Sequence, residues 1–204
     1  KRLQTDYLDV LLLHRPDPLV EPEEVARAFD ELKRSGKVRW FGVSNHTVGQ
    51  IELLQHYLDD PLVTNQVEFN LIHTHLLDAG IIANQNNPRL ARNYDLIEYC
   101  RLKIITLQAW SPLARGYLSG NPAPDSSKNI QEAAKVVAEI AEEKGVSREA
   151  IVIAWILRHP AGIQPLPGTT NSQRLLAACE ADDVELTRED WYRLFLAGRG
   201  EALP

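Results

Sequence analysis

Apolar positions along the chain follow two alternating rhythms. Val10–Leu11–Leu12–Leu13, with Tyr7 ahead of it and His14–Arg15–Pro16–Asp17 behind, is a short continuous run of the kind found in a strand buried on both faces. Pro22, Glu23 and Glu24 then open a segment in which Val25, Ala28, Phe29 and Leu32 recur at helical spacing, closed by Gly36. The same alternation predicts strand 38–43, helix 47–58, strand 63–69, helix 88–102 and strand 104–110. A loop over 119–128, rich in Pro, Gly and Ser, leads to helices 130–144 and 147–158, strand 163–165, and helices 172–181 and 188–197.

Strands alternating with helices imply a parallel sheet, either open and doubly wound or closed as a (β/α)₈ barrel. A doubly wound nucleotide-binding sheet usually carries a glycine-rich turn after its first strand, and His14–Arg15–Pro16–Asp17 is no such cradle, so the barrel is favoured. A barrel needs eight strands and about 250 residues, whereas this pattern holds five strands in 204 residues. The expectation is one domain over 1–204 that supplies the C-terminal part of a barrel, with parallel edges near Val10 and Gln164 that need cover.

Composition narrows the partners. Against 28 Asp and Glu stand 22 Lys and Arg, a net charge of −6, with no basic cluster on an aromatic platform. Nucleic acid and anionic membrane are therefore poor partners, and an anionic ligand would need a local site. The apolar runs 10–13 and 151–157 fall well short of the ~20 residues that span a bilayer. Cys100 and Cys179 lack metal-ligand spacing and read as small buried hydrophobes in a reducing compartment, which makes cytoplasm the expected location. The chain opens at Lys1 with no charged-then-apolar leader, as expected if it starts partway through a longer protein.

In a barrel the chemistry sits at the C-terminal strand ends, and here those ends are polar. They carry His14, then Ser44 and Asn45, Gln66 and Asn70, Trp110 and Ser111, and finally Gly168, Thr169 and Thr170. Each has a plainer role: His14 as a structural histidine, Ser44–Asn45 as a helix cap, Trp110 as a rim aromatic. Gln66 needs a hydrogen-bonding partner in a barrel mouth, and a planar polar ligand could supply one. Pro167–Gly168–Thr169–Thr170–Asn171–Ser172 leads into a helix with Arg174 on its first turn. That suits a phosphate as well as it suits a capped helix with an exposed arginine. His46, His56, His73, His75 and His159 form no metal-ligand pattern beyond the weak His73–Thr74–His75, and no metal is assigned.

Taken together, Leu3 to Asp9 running to His14–Arg15–Pro16–Asp17, then Gly42–Val43–Ser44–Asn45, Asn65–Gln66–Val67–Glu68, Ala109–Trp110–Ser111–Pro112–Leu113 and Pro167–Gly168–Thr169–Thr170 resemble the aldo-keto reductases, specifically their bacterial oxidoreductase branch. The resemblance covers essentially the whole chain. It implies a (β/α)₈ barrel of which strands four to eight are present, and NADPH-dependent reduction of aldehydes or ketones. His14 matches the histidine at the substrate carbonyl, and Ser44, Asn45 and Gln66 match the residues on the nicotinamide carboxamide. Trp110 matches the ring stacked on the nicotinamide, and Ser111, Pro112, Leu113, Arg115 and Gly116 match the loop along the pyrophosphate. Gly168, Thr169, Thr170 and Arg174 match the segment at the adenosine 2′-phosphate, which favours NADPH over NADH. The usual lysine of that segment is absent, and Ala177 and Ala178 stand where many members place Glu and Asn.

The family's catalytic aspartate, tyrosine and lysine belong to the first three βα units, which the resemblance does not find here, so this chain alone is expected to be inactive. The stretch 76–92 is expected to be a loop over the substrate pocket. A non-catalytic nucleotide-sensing subunit on the same scaffold is the alternative function. A phosphosugar enzyme would use the same phosphate loop but leave Ser44, Asn45, Gln66 and Trp110 without a common ligand.

Overall fold

A computed structural model describes residues 3–82, 95–120 and 122–204. Its strands are β1 (Leu8–Leu13), β2 (Val38–Ser44), β3 (Thr64–Glu68), β4 (Thr106–Trp110) and β5 (Gln164–Leu166), in the sheet order β1-β2-β3-β4-β5. Every registered pair is parallel. The helices are α1 (Pro22–Arg34), α2 (Val48–Gln55), α3 (His75–Ile81), α4 (Leu96–Lys103), α5 (Lys128–Lys144), α6 (Arg148–Leu157), α7 (Ser172–Cys179) and α8 (Arg188–Arg199). Two compact units share this chain, Lys1–Val67 with Asp95–Leu107 and Glu68–Tyr94 with Gln108–Pro204.

In the first unit, α1 starts on Pro22 with Glu23 and Glu24 in its first turn and ends with Lys33 and Arg34, charges that oppose the helix dipole at each end. Its Phe29 stacks on Phe41 of β2 with ring centroids 3.9 Å apart. Next to Phe41, Gly42 lies opposite Leu12, and a Cβ there would come within 2.5 Å of Leu12 Cδ2 and 2.7 Å of the Thr64 carbonyl. The glycine thus permits β1, β2 and β3 to approach closely. Thr106 N donates to the Val63 carbonyl and Thr64 Oγ1 to the Thr106 carbonyl, which starts the β3–β4 pairing.

In the second unit, Trp155 is fully buried and stacks between Phe69 and Trp191 at 5.3 and 5.2 Å. The two indoles exchange hydrogen bonds, each Nε1 donating to the other's carbonyl, at 3.2 and 3.0 Å. Their polar edges are thereby satisfied inside an apolar core. Ser147 caps α6, and Thr187 with Asp190 forms a capping box on α8. Arg199 at the end of α8 donates to buried Asp78 of α3 at 2.6 Å, and Thr74 Oγ1 donates to the same carboxylate.

Several expectations need correction. β1 is not buried on both faces: Val10 is 42% exposed, and among the described residues β1 pairs with β2 alone. Gln164 of β5 is exposed too, so neither edge is covered among the described residues. The stretch expected to be a loop from residue 76 instead begins as α3, whose Leu76 and Ala79 are buried; residues 83–92 lie outside the described residues, as do 88–94 of the expected helix. β4 starts two residues late because Ile104, at φ 59, is the left-handed cap of α4. Cys100 is buried, and burial pushes its thiol up to about 12, but Cys179 is exposed at the end of a helix whose one buried residue is Ala178. Among the described residues no helix is long and apolar enough to cross a membrane.

Candidate functional site

The end of β2 carries the most tightly connected polar cluster of the first unit. Ser44 is buried, and its hydroxyl donates to the Gln66 carbonyl at 2.8 Å while accepting from Asn45 Nδ2 at 3.0 Å. Its proton is thus committed, and one acceptor lobe is left over. Asn45 N also donates to the Gln66 carbonyl, at 2.9 Å. Asn45 sits at φ 61, a left-handed conformation that asparagine tolerates better than most residues. The cap reading of Ser44–Asn45 does not hold, because Thr47 and Gln50 form the capping box of α2.

Two further residues fix this turn. His46 is buried with Nδ1 2.9 Å from the Ser44 carbonyl; a carbonyl only accepts, so Nδ1 carries the proton. Burial holds the imidazole below its usual value of 6.5, against the raising effect of that bond. Asn65 has no exposed surface, donates from Nδ2 to the His46 carbonyl at 2.9 Å, and finds no partner for Oδ1 among the described residues. Burying an unmatched acceptor costs about 1–3 kcal/mol. Gln66 is half-buried on β3, and His14 is exposed one residue past β1.

The second unit holds two more segments. Trp110 ends β4 half-buried, and Ser111, Ala114, Arg115 and Gly116 follow at φ 55, 48, 59 and 90. Left-handed non-glycine residues cluster where surroundings over-determine the backbone, often at ligand sites. Here buried Asn70 donates from Nδ2 to the Ser111 carbonyl at 3.0 Å, while its Oδ1 accepts from Ile72 N at 3.1 Å. Pro112 is buried and Leu113 half-buried, while Arg115 and Gly116 point outward and are exposed.

After β5, Thr169 N donates to the Pro167 carbonyl and Thr169 Oγ1 accepts from Asn171 N. Asn171 Oδ1 accepts from Gln173 N at 2.9 Å and Arg174 N at 3.2 Å. The cap therefore occupies two of the first-turn amides that were expected to be open to a phosphate. What stays available is the exposed trio Gly168, Thr170 and Arg174, the arginine having no ion-pair partner among the described residues. A Cβ on Gly168 would meet nothing within 4 Å, so the protein's own packing does not require glycine there. No group of three or more His, Cys, Asp or Glu able to hold a metal is found among the described residues.

The profile of the aldo/keto reductase family matches residues 1–195. The chain belongs to that family. Among the relatives, the oxidoreductase YdhF of Escherichia coli is 40% identical over 202 residues, which are 99% of this chain and 61% of that protein. A 6-dehydroglucose reductase of Agrobacterium fabrum is 37% identical over 197 residues, 97% of this chain and 59% of that protein. The crystal structure of an aldo-keto reductase from Klebsiella pneumoniae in complex with NADPH matches with a TM-score of 0.74 at 26% identity, over 100% of this chain and 63% of that one. The chain thus spans about three-fifths of the length of the curated relatives it matches.

Sequence reading found the strand-end residues but missed His46 and Asn65. His46 stood out only as an isolated histidine, and Asn65 was overshadowed by Gln66 beside it. No signal in the sequence marks it; in the structure Asn65 is registered against Val43, directly before the Ser44 and Gln66 pair.

Proposed function

We propose that the protein reduces aldehydes or ketones to alcohols with NADP(H), on a (β/α)₈ barrel whose strands four to eight are β1 to β5. Ser44, Asn45 and Gln66 hold the nicotinamide carboxamide, and Trp110 stacks on the ring. Ser111, Pro112, Leu113, Arg115 and Gly116 follow the pyrophosphate, while Gly168, Thr169, Thr170 and Arg174 meet the adenosine 2′-phosphate. The observation that carries this reading is the state of Ser44: its proton goes to Gln66, Asn45 fills one lone pair, and the remaining lobe accepts from an amide –NH₂. Exposed Arg174, with no ion-pair partner among the described residues, fits a phosphate dianion in the same sense. NADP- and NADPH-bound neighbours of the same family support the choice of cofactor.

When bound, the reduced nicotinamide supplies the hydride. His14 donates to the substrate carbonyl oxygen and orients it for transfer. The residues named above bind and orient the reactants, and the product oxygen takes its proton from a general acid or from water.

The test is an assay of the full protein with NADPH over a panel of activated aldehydes. Turnover is expected, with His14→Ala lowering it far more than cofactor affinity and Trp110→Ala weakening affinity first. Tight NADPH binding without turnover on any aldehyde overturns the enzyme reading in favour of a nucleotide-sensing subunit. Protection by sugar phosphates and not by NADPH overturns the cofactor reading as well.

A further inference from the structure

The assignment above leaves the buried His46 and Asn65 unused, yet both act on the backbone of the turn that carries Asn45. The carbonyl before Asn45 is held by the His46 ring, the Asn45 amide is held by the Gln66 carbonyl, and the carbonyl one residue beyond is held by Asn65 Nδ2. Asn45 is thus gripped on both sides in a left-handed conformation, in which its Nδ2 donates to Ser44 Oγ. We infer that Asn65 is a positioning residue for carboxamide recognition: its Nδ2 hydrogen bond to the His46 carbonyl keeps the Asn45 turn, and through it the acceptor lobe of Ser44, set for the ligand.

Two features favour this over a general packing role. Among the described residues the Asn65 side chain bonds through its donor, while its acceptor is buried and unmatched; an apolar side chain would fill the space without that defect. The bond also lands on the residue next to the strained one, not on the regular ladder that pairs Val43 with Asn65 and Ser44 with Gln66. The inference rests on the reductase reading above, because it takes the carboxamide of a nicotinamide as the ligand group at Ser44.

The experiment measures NADPH and 2′,5′-ADP affinity of the full protein, wild type and Asn65→Leu, together with melting temperature and the steady-state constants. The second probe carries the adenosine phosphates but no nicotinamide. Asn65→Leu is expected to weaken NADPH by about tenfold, the scale of one lost hydrogen bond, with KM for NADPH rising in step and kcat at saturation little changed. Affinity for 2′,5′-ADP stays the same. Should Asn65→Leu not fold, Asn65→Ser, too short to reach the His46 carbonyl, is read in the same way. Equal loss for both nucleotides marks a general structural role and overturns the inference, as does unchanged NADPH affinity. A wild-type protein that binds neither nucleotide overturns the cofactor reading itself, and the positioning role with it.

Discussion

The turn after β2 and the loop before α7 each close a strand and open onto a helix, and they hold their polar groups in opposite ways. At Ser44–Asn45–His46 the side chains are buried or half-buried, the Ser44 hydroxyl is bonded to the Gln66 carbonyl and to Asn45 Nδ2, and the His46 backbone carbonyl accepts from Asn65 Nδ2. At Gly168–Thr170 and Arg174 they are mostly exposed, and the one strong internal device, the Asn171 cap, serves the helix. A recognition group for a neutral amide must be arranged beforehand, since each misaligned bond loses most of its small net value in water. A group for a phosphate works through charge, which acts over distance and tolerates a loose side chain. On the function proposed above, the contrast gives geometry to the first region and charge to the second.

The largest effect is expected where geometry is broken. Asn45→Val forces a β-branched residue into the left-handed region, a cost of about 1–2 kcal/mol, and also removes the Nδ2 bond to Ser44. Both the denaturation midpoint and NADPH affinity should fall in the same variant. Arg174→Ala, by contrast, should leave stability within about 0.5 kcal/mol, as for an unpaired surface residue. Its NADPH affinity should drop by about tenfold at low salt and by less as ionic strength rises, because an exposed pair is screened.

A smaller effect concerns pH. His46 binds its proton less readily when folded than when unfolded, so the unfolded chain takes up more protons as pH falls below the usual 6.5. Stability is full above that value, declines as pH drops toward the lowered folded value, and levels off below it. Urea midpoints measured from about pH 7.5 down to about pH 5 should show this decline, and His46→Phe should remove that portion of it. The smallest expected change is in the melting point of Gly168→Ala, where a Cβ meets nothing and φ is not left-handed. Any loss of NADPH affinity in that variant then belongs to the ligand.

Much of this was legible in the sequence, for reasons that differ by residue. Strand runs such as 10–13 and 38–43, and helices with Pro22, Ser147 or Thr187 at their starts, announce themselves through local periodicity and caps. The strand ends were legible because polar residues there interrupt apolar runs. α3 was not, since its seven residues are too few to show a helical period and its mid-helix Asp78 is bonded by Arg199, a contact from the far end of the chain. The half-exposed face of β1 was hidden for a related reason: its residues are apolar on both sides, and exposure depends on neighbours that the run itself does not specify. The roles of His46 and Asn65 rest on bonds between β2 and β3, and nothing in their own neighbourhood signals that pairing.

The central proposal is that the amide cluster recognises a nicotinamide carboxamide by arrangement and the α7 loop a phosphate by charge. Its most direct test is calorimetric titration of the full protein with NADPH and with NADH, in the wild type, Ser44→Ala and Arg174→Ala. The two cofactors share the nicotinamide and differ by the 2′-phosphate. The account predicts that Ser44→Ala weakens both by the same factor and that Arg174→Ala weakens NADPH alone, narrowing the preference between them. Unchanged binding in Ser44→Ala, or equal losses of NADPH and NADH in Arg174→Ala, would contradict it.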